Sequence, residues 1–408
     1  MKKVFIAVLA MFMVVGGVAF AKKAADPVPS VQEKFDSNKI NRQLGYQLID
    51  GGKKIVFVFD PSLNRIASPD QVFVTGSFNG WTKSKSSVWE CEKVKKNLWT
   101  LECDAEEVKI PGNSGFPEFK FNVIAFEKYT ETVCGKELHR ERKVTKETNA
   151  VSRIPGFQMG GNNLILFPGD DPAVVVENLK VANKVLKKKN FDLNNEADRM
   201  RLTNIRVVPG TSKLYRGYHP FEKSRGQFNT ENVRMELIPE IMEQRGILSI
   251  ITLCGDDGNG KKVPAYVHGI RMMGNHGIFN TQYNTVYYKS NTSDFGNLIR
   301  DIVVFINSHP GPYYVHCRLG TDRTGVVSGI LAALCGASWE EIAADYQKSN
   351  EMGIKEFRDY RLLQFSFERI LNKSMDEVKD LQAEMSAYFI KKGYLTAEQI
   401  STMQKNLK

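Results

Sequence analysis

The chain has 408 residues, enough for two or three domains at roughly 150 residues each. Apolar residues make up 42% and charged residues 25%, which is ordinary for globular domains and excludes a disordered or fibrous chain. Lys and Arg outnumber Asp and Glu by 56 to 46, but the lysines are dispersed and no aromatic-interleaved basic stripe is present, so nucleic acid is not an expected partner.

Lys2 and Lys3 precede an apolar run from Val4 to Phe20, and Ala19-Phe20-Ala21 offers small residues for cleavage. This pattern predicts a secretory signal peptide over 1–21, a periplasmic or secreted protein and no stable membrane span after cleavage. The alternative is an uncleaved anchor, since the run lies at the lower edge of spanning length. Losing Lys2 and Lys3 lowers the net charge from +10 to +8. Residues 22–51 are polar and read as a tether.

Over 52–168 short apolar or alternating runs recur: Ile55–Phe59, Gln71–Val74, Leu98–Leu101, Phe119–Val123 and Leu164–Leu166. Turn residues separate them, which predicts an all-β immunoglobulin-like sandwich. Cys91 and Cys103 flank a hairpin and could face each other in an oxidising compartment, whereas Cys134 has no obvious partner. Residues 169–200 read as a helical, lysine-rich linker that includes Lys187-Lys188-Lys189.

From 201 to 373 strands and helices alternate, as in an α/β domain with a central sheet flanked by helices. Gly246–Leu253 and Tyr313–His316 read as buried strands, and Phe295–Ser308 and Thr324–Leu334 as helices, with Cys335 a small buried hydrophobe. Two short helices are expected over 374–408.

The loop after Tyr313–His316 carries the chemistry. Cys317 is followed by Arg318, Leu319, Gly320, Thr321 and Asp322, then by Arg323 and Thr324 at the start of a helix. So short a loop can aim its backbone N–H groups at one anion, and the helix N-terminus adds partial positive charge. Gly320 permits the tight curl, and Arg323 offers a planar fork for two phosphate oxygens. The same field favours Cys317 as a thiolate, which can attack phosphorus in line and form a phosphocysteine. Thr324 can donate to the sulfur as it leaves, and His316 orients the loop. Residues 318–323 thus bind phosphate, and the catalytic set is Cys317, Arg323, Thr324 and an acid.

These residues resemble the His-Cys-x5-Arg-[Ser/Thr] signature of the protein tyrosine and dual-specificity phosphatases. Lys213-Leu214-Tyr215-Arg216-Gly217-Tyr218-His219-Pro220 is similar to the opening of the atypical dual-specificity group. Ser338-Trp339-Glu340-Glu341-Ile342 with Asp345-Tyr346 is similar to its later helices. The resemblance implies a metal-free phosphate monoester hydrolase with an aspartate general acid upstream of the nucleophile. Asp294 best matches that aspartate, although it could instead cap its helix. Asp322 is the alternative, and Asp256 and Asp257 are weaker candidates. It also implies that Cys254 could form a protective disulfide with Cys317, the other reading being a buried thiol. The six histidines show no metal-ligand spacing, and no cofactor or metal is expected.

Val72–Trp81, with Phe119-Lys120-Phe121 and Gly161–Ile165, resembles the glycogen-binding module of the AMP-activated kinase β subunit, a family 48 carbohydrate-binding module. In that reading Trp81 stacks on a sugar while Lys120 and Asn162 bond its hydroxyls. The family's second sugar-stacking tryptophan is missing, with Phe126 and Tyr129 nearby. The expected substrates are a phosphotyrosine protein, an inositol phosphate or a phosphoglucan, with Arg318, Arg358 and Arg361 available as a basic rim. The rival reading is a non-catalytic phosphate- and sugar-binding envelope protein.

Overall fold

The computed structural model describes residues 30–82, 87–148, 152–187, 191–225, 230–254, 269–272, 285–352 and 356–408. The expected signal segment 1–21 lies outside them, as do Lys188, Lys189, Asp256 and Asp257.

Alternation of large apolar residues makes the first half β structure. Its strands are β1 (Val31–Gln32), β2 (Tyr46–Ile49), β3 (Lys54–Phe59), β4 (Pro69–Gly76), β5 (Glu92–Lys95), β6 (Leu98–Asp104), β7 (Glu118–Val133), β8 (Lys136–Glu147), β9 (Gln158–Met159) and β10 (Asn162–Leu164). They form one sheet in the order β1-β2-β3-β6-β5 and a second in the order β4-β7-β10-β9, with β8 paired to β7. The two sheets share one core. Phe57 meets Phe119 and Phe59 meets Phe121, each pair with ring centroids 5.1 Å apart. Burying each such ring contributes about 2–3 kcal/mol relative to exposure.

Two expectations are corrected here. The tether 22–51 contributes two strands, β1 and β2, to the sheet: β2 is buried throughout, and the Tyr46 hydroxyl accepts from Leu166 N at 2.8 Å and donates to Leu166 O at 3.2 Å. Its polar composition hid the short apolar stretch at Tyr46–Ile49. Cys91 and Cys103 do not bond: the register pairs Glu92 with Thr100, and Cys103 with Ile55, and no disulfide joins any of the six cysteines.

The second half begins with α1 (Pro172–Lys187), whose first turn Asp171 caps by accepting from Ala173 N at 2.8 Å. Val175 and Leu179 pack onto the β core, so this helix belongs to the first layer rather than spanning free. There follow α2 (Glu196–Thr203), β11 (Arg206–Val207), β12 (Leu214–Gly217), α3 (Thr230–Gln244), β13 (Ser249–Thr252), β14 (Gly269–Met272), α4 (Thr285–Tyr288), α5 (Ser293–Ser308), β15 (Tyr313–His316), α6 (Asp322–Leu334), α7 (Trp339–Lys348), α8 (Arg361–Leu371), α9 (Leu381–Lys391) and α10 (Ala397–Leu407).

The sheet order is β11-β12-β15-β13-β14, parallel except at the β11 edge. Parallel strands are covered on both faces, which is why Tyr313–His316 is buried at every position. The helix α6, apolar nearly all round, runs through the core beside it. Met385, Phe389, Met403 and Leu407 of the last two helices enter the same core, and Leu407 O accepts from Ser212 N and Lys213 N. Among the described residues, no helix is long and apolar enough to cross a membrane.

Candidate active site

Cys317 stands at the C-terminal end of the central strand β15, 3% exposed, and the loop curls from it into the N-terminus of α6. The carbonyls of that loop are held outward one after another. Cys317 O contacts His316 Nδ1 at 3.3 Å, and Arg318 O accepts from His219 N at 3.3 Å and Ser224 Oγ at 2.5 Å. Leu319 O accepts from Asn204 Nδ2 at 3.0 Å, and Gly320 O from Arg216 at 2.8 Å. Because each peptide is planar, fixing its carbonyl outward turns the following N–H toward the concave side. Such an arrangement is what a nest of amides for a single anion requires.

Gly320 is required by two facts. Its φ is +69°, and a Cβ there would lie 2.2 Å from Gly217 O. Arg323, in the first turn of α6, donates to Leu253 O at 2.8 Å and lies close enough to Cys317 to interact with it electrostatically. Burial works against its charge, but the thiols of Cys317 and Cys254 and the Asp322 carboxylate outweigh burial and raise its pKa further. Thr324 is fully buried, and its hydroxyl has no hydrogen-bond partner among the described residues.

His316 is buried, and desolvation first, then the neighbouring His219 and Arg323, push its pKa well below the ordinary 6.5. It is therefore neutral near pH 7 and positions the loop. His219, Cys254 and His316 bring their ligand atoms within 4.8 Å of one another, a cluster that linear spacing could not reveal. The imidazoles meet edge to face at 4.7 Å between centroids. With the Arg323 charge against the same cluster, a further cation there would be repelled.

The aspartates are placed differently from one another. Asp322 is only 7% exposed, and its Oδ1 accepts from Arg358 at 2.7 Å and from the Tyr287 hydroxyl at 2.7 Å. That oxygen is committed to bracing the loop. Asp294 is exposed in the first turn of α5, which Thr292 caps, and nearby Gly296 faces Tyr394. No hydrogen bond among the described residues joins Asp294 to the loop.

The arginines offered as a basic rim are engaged: Arg318 with Ser224 O at 2.8 Å, Arg358 with Asp322, and Arg361 with Asp170. Sequence reasoning missed the residues that shape the loop from below. Asn204, with φ of +58°, and Arg216 hold its carbonyls, and Asp345 bridges Arg216 and Arg206 at 2.6 and 2.5 Å. The signal was present: Arg216 and Asp345 lie in the two segments flanking the loop that resemble the atypical phosphatases.

In the β layer, Lys120 pairs with Glu147 at 3.2 Å, and Asn162 donates to Glu118 at 2.7 Å. Trp81 is half-buried at a positive φ of 56°, one turn beyond β4.

A buried cysteine at a strand end, an arginine in the first turn of the following helix and loop carbonyls held from outside are the parts of a cysteine-dependent phosphatase. Residues 262–408 match the family model described as the tyrosine phosphatase family, which covers the loop and both C-terminal helices. Among solved structures, the chain is similar to the core catalytic domain of the PP-IP phosphatase SIW14 from S. cerevisiae. That similarity has 17% identity and a TM-score of 0.27, covering 47% of this chain and 94% of that one. No curated protein sequence matches.

Proposed function

We propose that this is an exported phosphatase that removes phosphate from phosphotyrosine-bearing protein through a phosphocysteine on Cys317. One arrangement carries the mechanism: Cys317 ends β15 where α6 begins with Arg323, and the carbonyls between them are held from outside by Asn204 and Arg216, which leaves the loop amides for an anion. The thiolate attacks phosphorus, the S–P bond forms, and the P–O bond to the leaving group breaks. Arg323 and the loop amides stabilise the equatorial oxygens. Water then attacks the phosphocysteine, phosphate departs, and the sulfur leaves toward the Thr324 hydroxyl.

The leaving oxygen needs a proton. With Asp322 Oδ1 held by Arg358 and Tyr287, and Asp294 exposed in the first turn of α5, the proposed donor is Asp256 or Asp257. β13 (Ser249–Thr252) runs parallel to β15, so the two strands end on the same side of the sheet; Asp256 and Asp257 follow β13 in sequence and lie outside the described residues.

Two observations support a substrate recognised through a single phosphate. Arg318, Arg358 and Arg361 are consumed by protein acceptors rather than left to grip a second phosphate. The matched family is described by its action on tyrosine. The β layer is read as an immunoglobulin-like carbohydrate-binding unit, in which Trp81, Lys120 and Asn162 would hold a glucan. The register sets Asn162 beside Lys120 on the neighbouring strand, and a sugar there would have to compete with Glu118 for Asn162 and with Glu147 for Lys120.

The test is phosphate release by the mature protein from a phosphotyrosine peptide, an inositol polyphosphate and a phosphorylated glucan. Release from the peptide, abolished by Cys317→Ser, is expected. Preference for either other substrate would replace the substrate assignment. A glucan pull-down with Trp81→Ala tests the module, and loss of retention in the variant is expected.

A further inference from the structure

Two pairs of consecutive residues each touch the phosphate loop with one side chain and the β layer through the next residue. In the first pair, the Tyr287 hydroxyl donates to Asp322 Oδ1 at 2.7 Å, while the Tyr288 hydroxyl donates to Pro111 O of the β layer. In the second, Arg358 donates to the same Asp322 oxygen at 2.7 Å, while Asp359 N donates to Ser114 O at 2.8 Å.

The residues around Arg358 extend the alternation. Phe357, 2% exposed, is part of the hydrophobic cluster of the β layer. Arg361 stacks on Phe116 at 4.6 Å and pairs with Asp170. Just before α8, Phe357 and the Asp359 N–H thus face the β layer while the Arg358 guanidinium between them reaches Asp322. Gly115 makes the approach possible: its φ is +98°, and a Cβ there would come within 2.5 Å of the Asp359 Cβ.

We propose that the β layer is a positioning element of the active site, holding Asp322, and through it the phosphate loop, by the paired clamps Tyr287–Tyr288 and Arg358–Asp359. The inference rests on Cys317 being the nucleophile of that loop. Asp322 is the residue just before Arg323, so its orientation fixes where the helix begins and where the guanidinium points. A ligand or partner that shifts the β layer against 357–361 would therefore alter turnover without touching the substrate.

The experiment is a double-mutant cycle on the whole chain. Tyr288→Phe combined with Asp170→Asn loosens the β side, and Asp322→Ala removes the shared acceptor. Phe357→Ala is a stronger version of the loosening, and the milder pair stands if that variant does not fold. Two quantities are read: kcat/KM for a phosphate monoester and the affinity for inorganic phosphate by calorimetry, which needs no turnover. The thermal midpoint is recorded alongside.

The β-side variants are expected to lose about three- to thirty-fold in both quantities in the native background and nothing further in the Asp322→Ala background. Equal losses in both backgrounds, or no loss in either, would overturn the proposal, whatever happens to the midpoint. Failure of the nucleophile assignment would look different: Cys317→Ser would retain turnover.

Discussion

At the residue scale the site is set by backbone direction as much as by side chains. Gly320 combines a left-handed φ with contact against Gly217 O. Gly320→Ala should displace the loop by a fraction of an ångström or more and lower kcat/KM about a hundredfold while the protein stays folded, as circular dichroism would record. His316 supplies a pH signature. Its folded pKa is depressed well below 6.5, so above pH 6.5 neither folded nor unfolded state carries the proton. As pH falls below 6.5 the unfolded state binds a proton that the folded state refuses. The group's share of stability is then lost, at up to about 1.4 kcal/mol per pH unit. Denaturant titrations between pH 7.5 and 5 should show this slope, and His316→Asn should flatten it. For the general acid, Asp294→Asn should leave turnover of a poor-leaving-group ester within about twofold, while the Asp256→Asn and Asp257→Asn pair should include one loss of about 10²-fold or more. A large loss in Asp294→Asn alone would return the role to that residue.

At the element scale, the segment before α3 and the helix α7 are tied beneath the loop by the buried set Arg206, Arg216 and Asp345. Burial alone would raise the Asp345 pKa, but the two guanidinium groups outweigh it and hold the carboxyl below the usual range. Asp345→Ala leaves two buried cations facing each other. It should cost about 3–5 kcal/mol in urea unfolding, because the charges it abandons have lost their solvent and gain no partner. Since Arg216 also donates to Gly320 O, the same variant should weaken phosphate binding even when folded. A variant with native stability would show that the pair is replaceable by water.

At the scale of the whole molecule, the β layer and the α/β layer are joined by Phe357 in the β core, by α1 packed on that core, and by the polar grips of Ser114, Pro111 and Asp170. Cores that share residues unfold together, so calorimetry should give one cooperative transition rather than two separated ones. Two transitions more than about 10 °C apart would mean that the halves fold independently and that the clamps are weak.

Much of this was legible along the chain. Cys317, Arg323, Thr324 and Gly320 are close in sequence, and strand, loop and helix around them follow from local pattern, because the nest is built from consecutive peptides. The strands Ile55–Phe59 and Phe119–Val123 and the helix at 295–308 were equally local, each announced by its own period. What supports the loop was not legible in that way. Asn204, Arg216, Tyr287, Asp345 and Arg358 come from segments dozens of residues apart, and their roles exist only once parallel strands and crossing helices bring those segments to one end of the sheet. The same holds for β2, whose few apolar residues mean little until β3 lies beside them, and for Arg358 and Arg361, which a linear reading leaves free as a rim. The sequence determined the reactive group and its immediate cradle, since local sterics and hydrogen bonding suffice to form them. Only the tertiary structure decided which charges brace that cradle and which remain for a substrate, because a buried charge is defined by the partner that desolvation forces upon it.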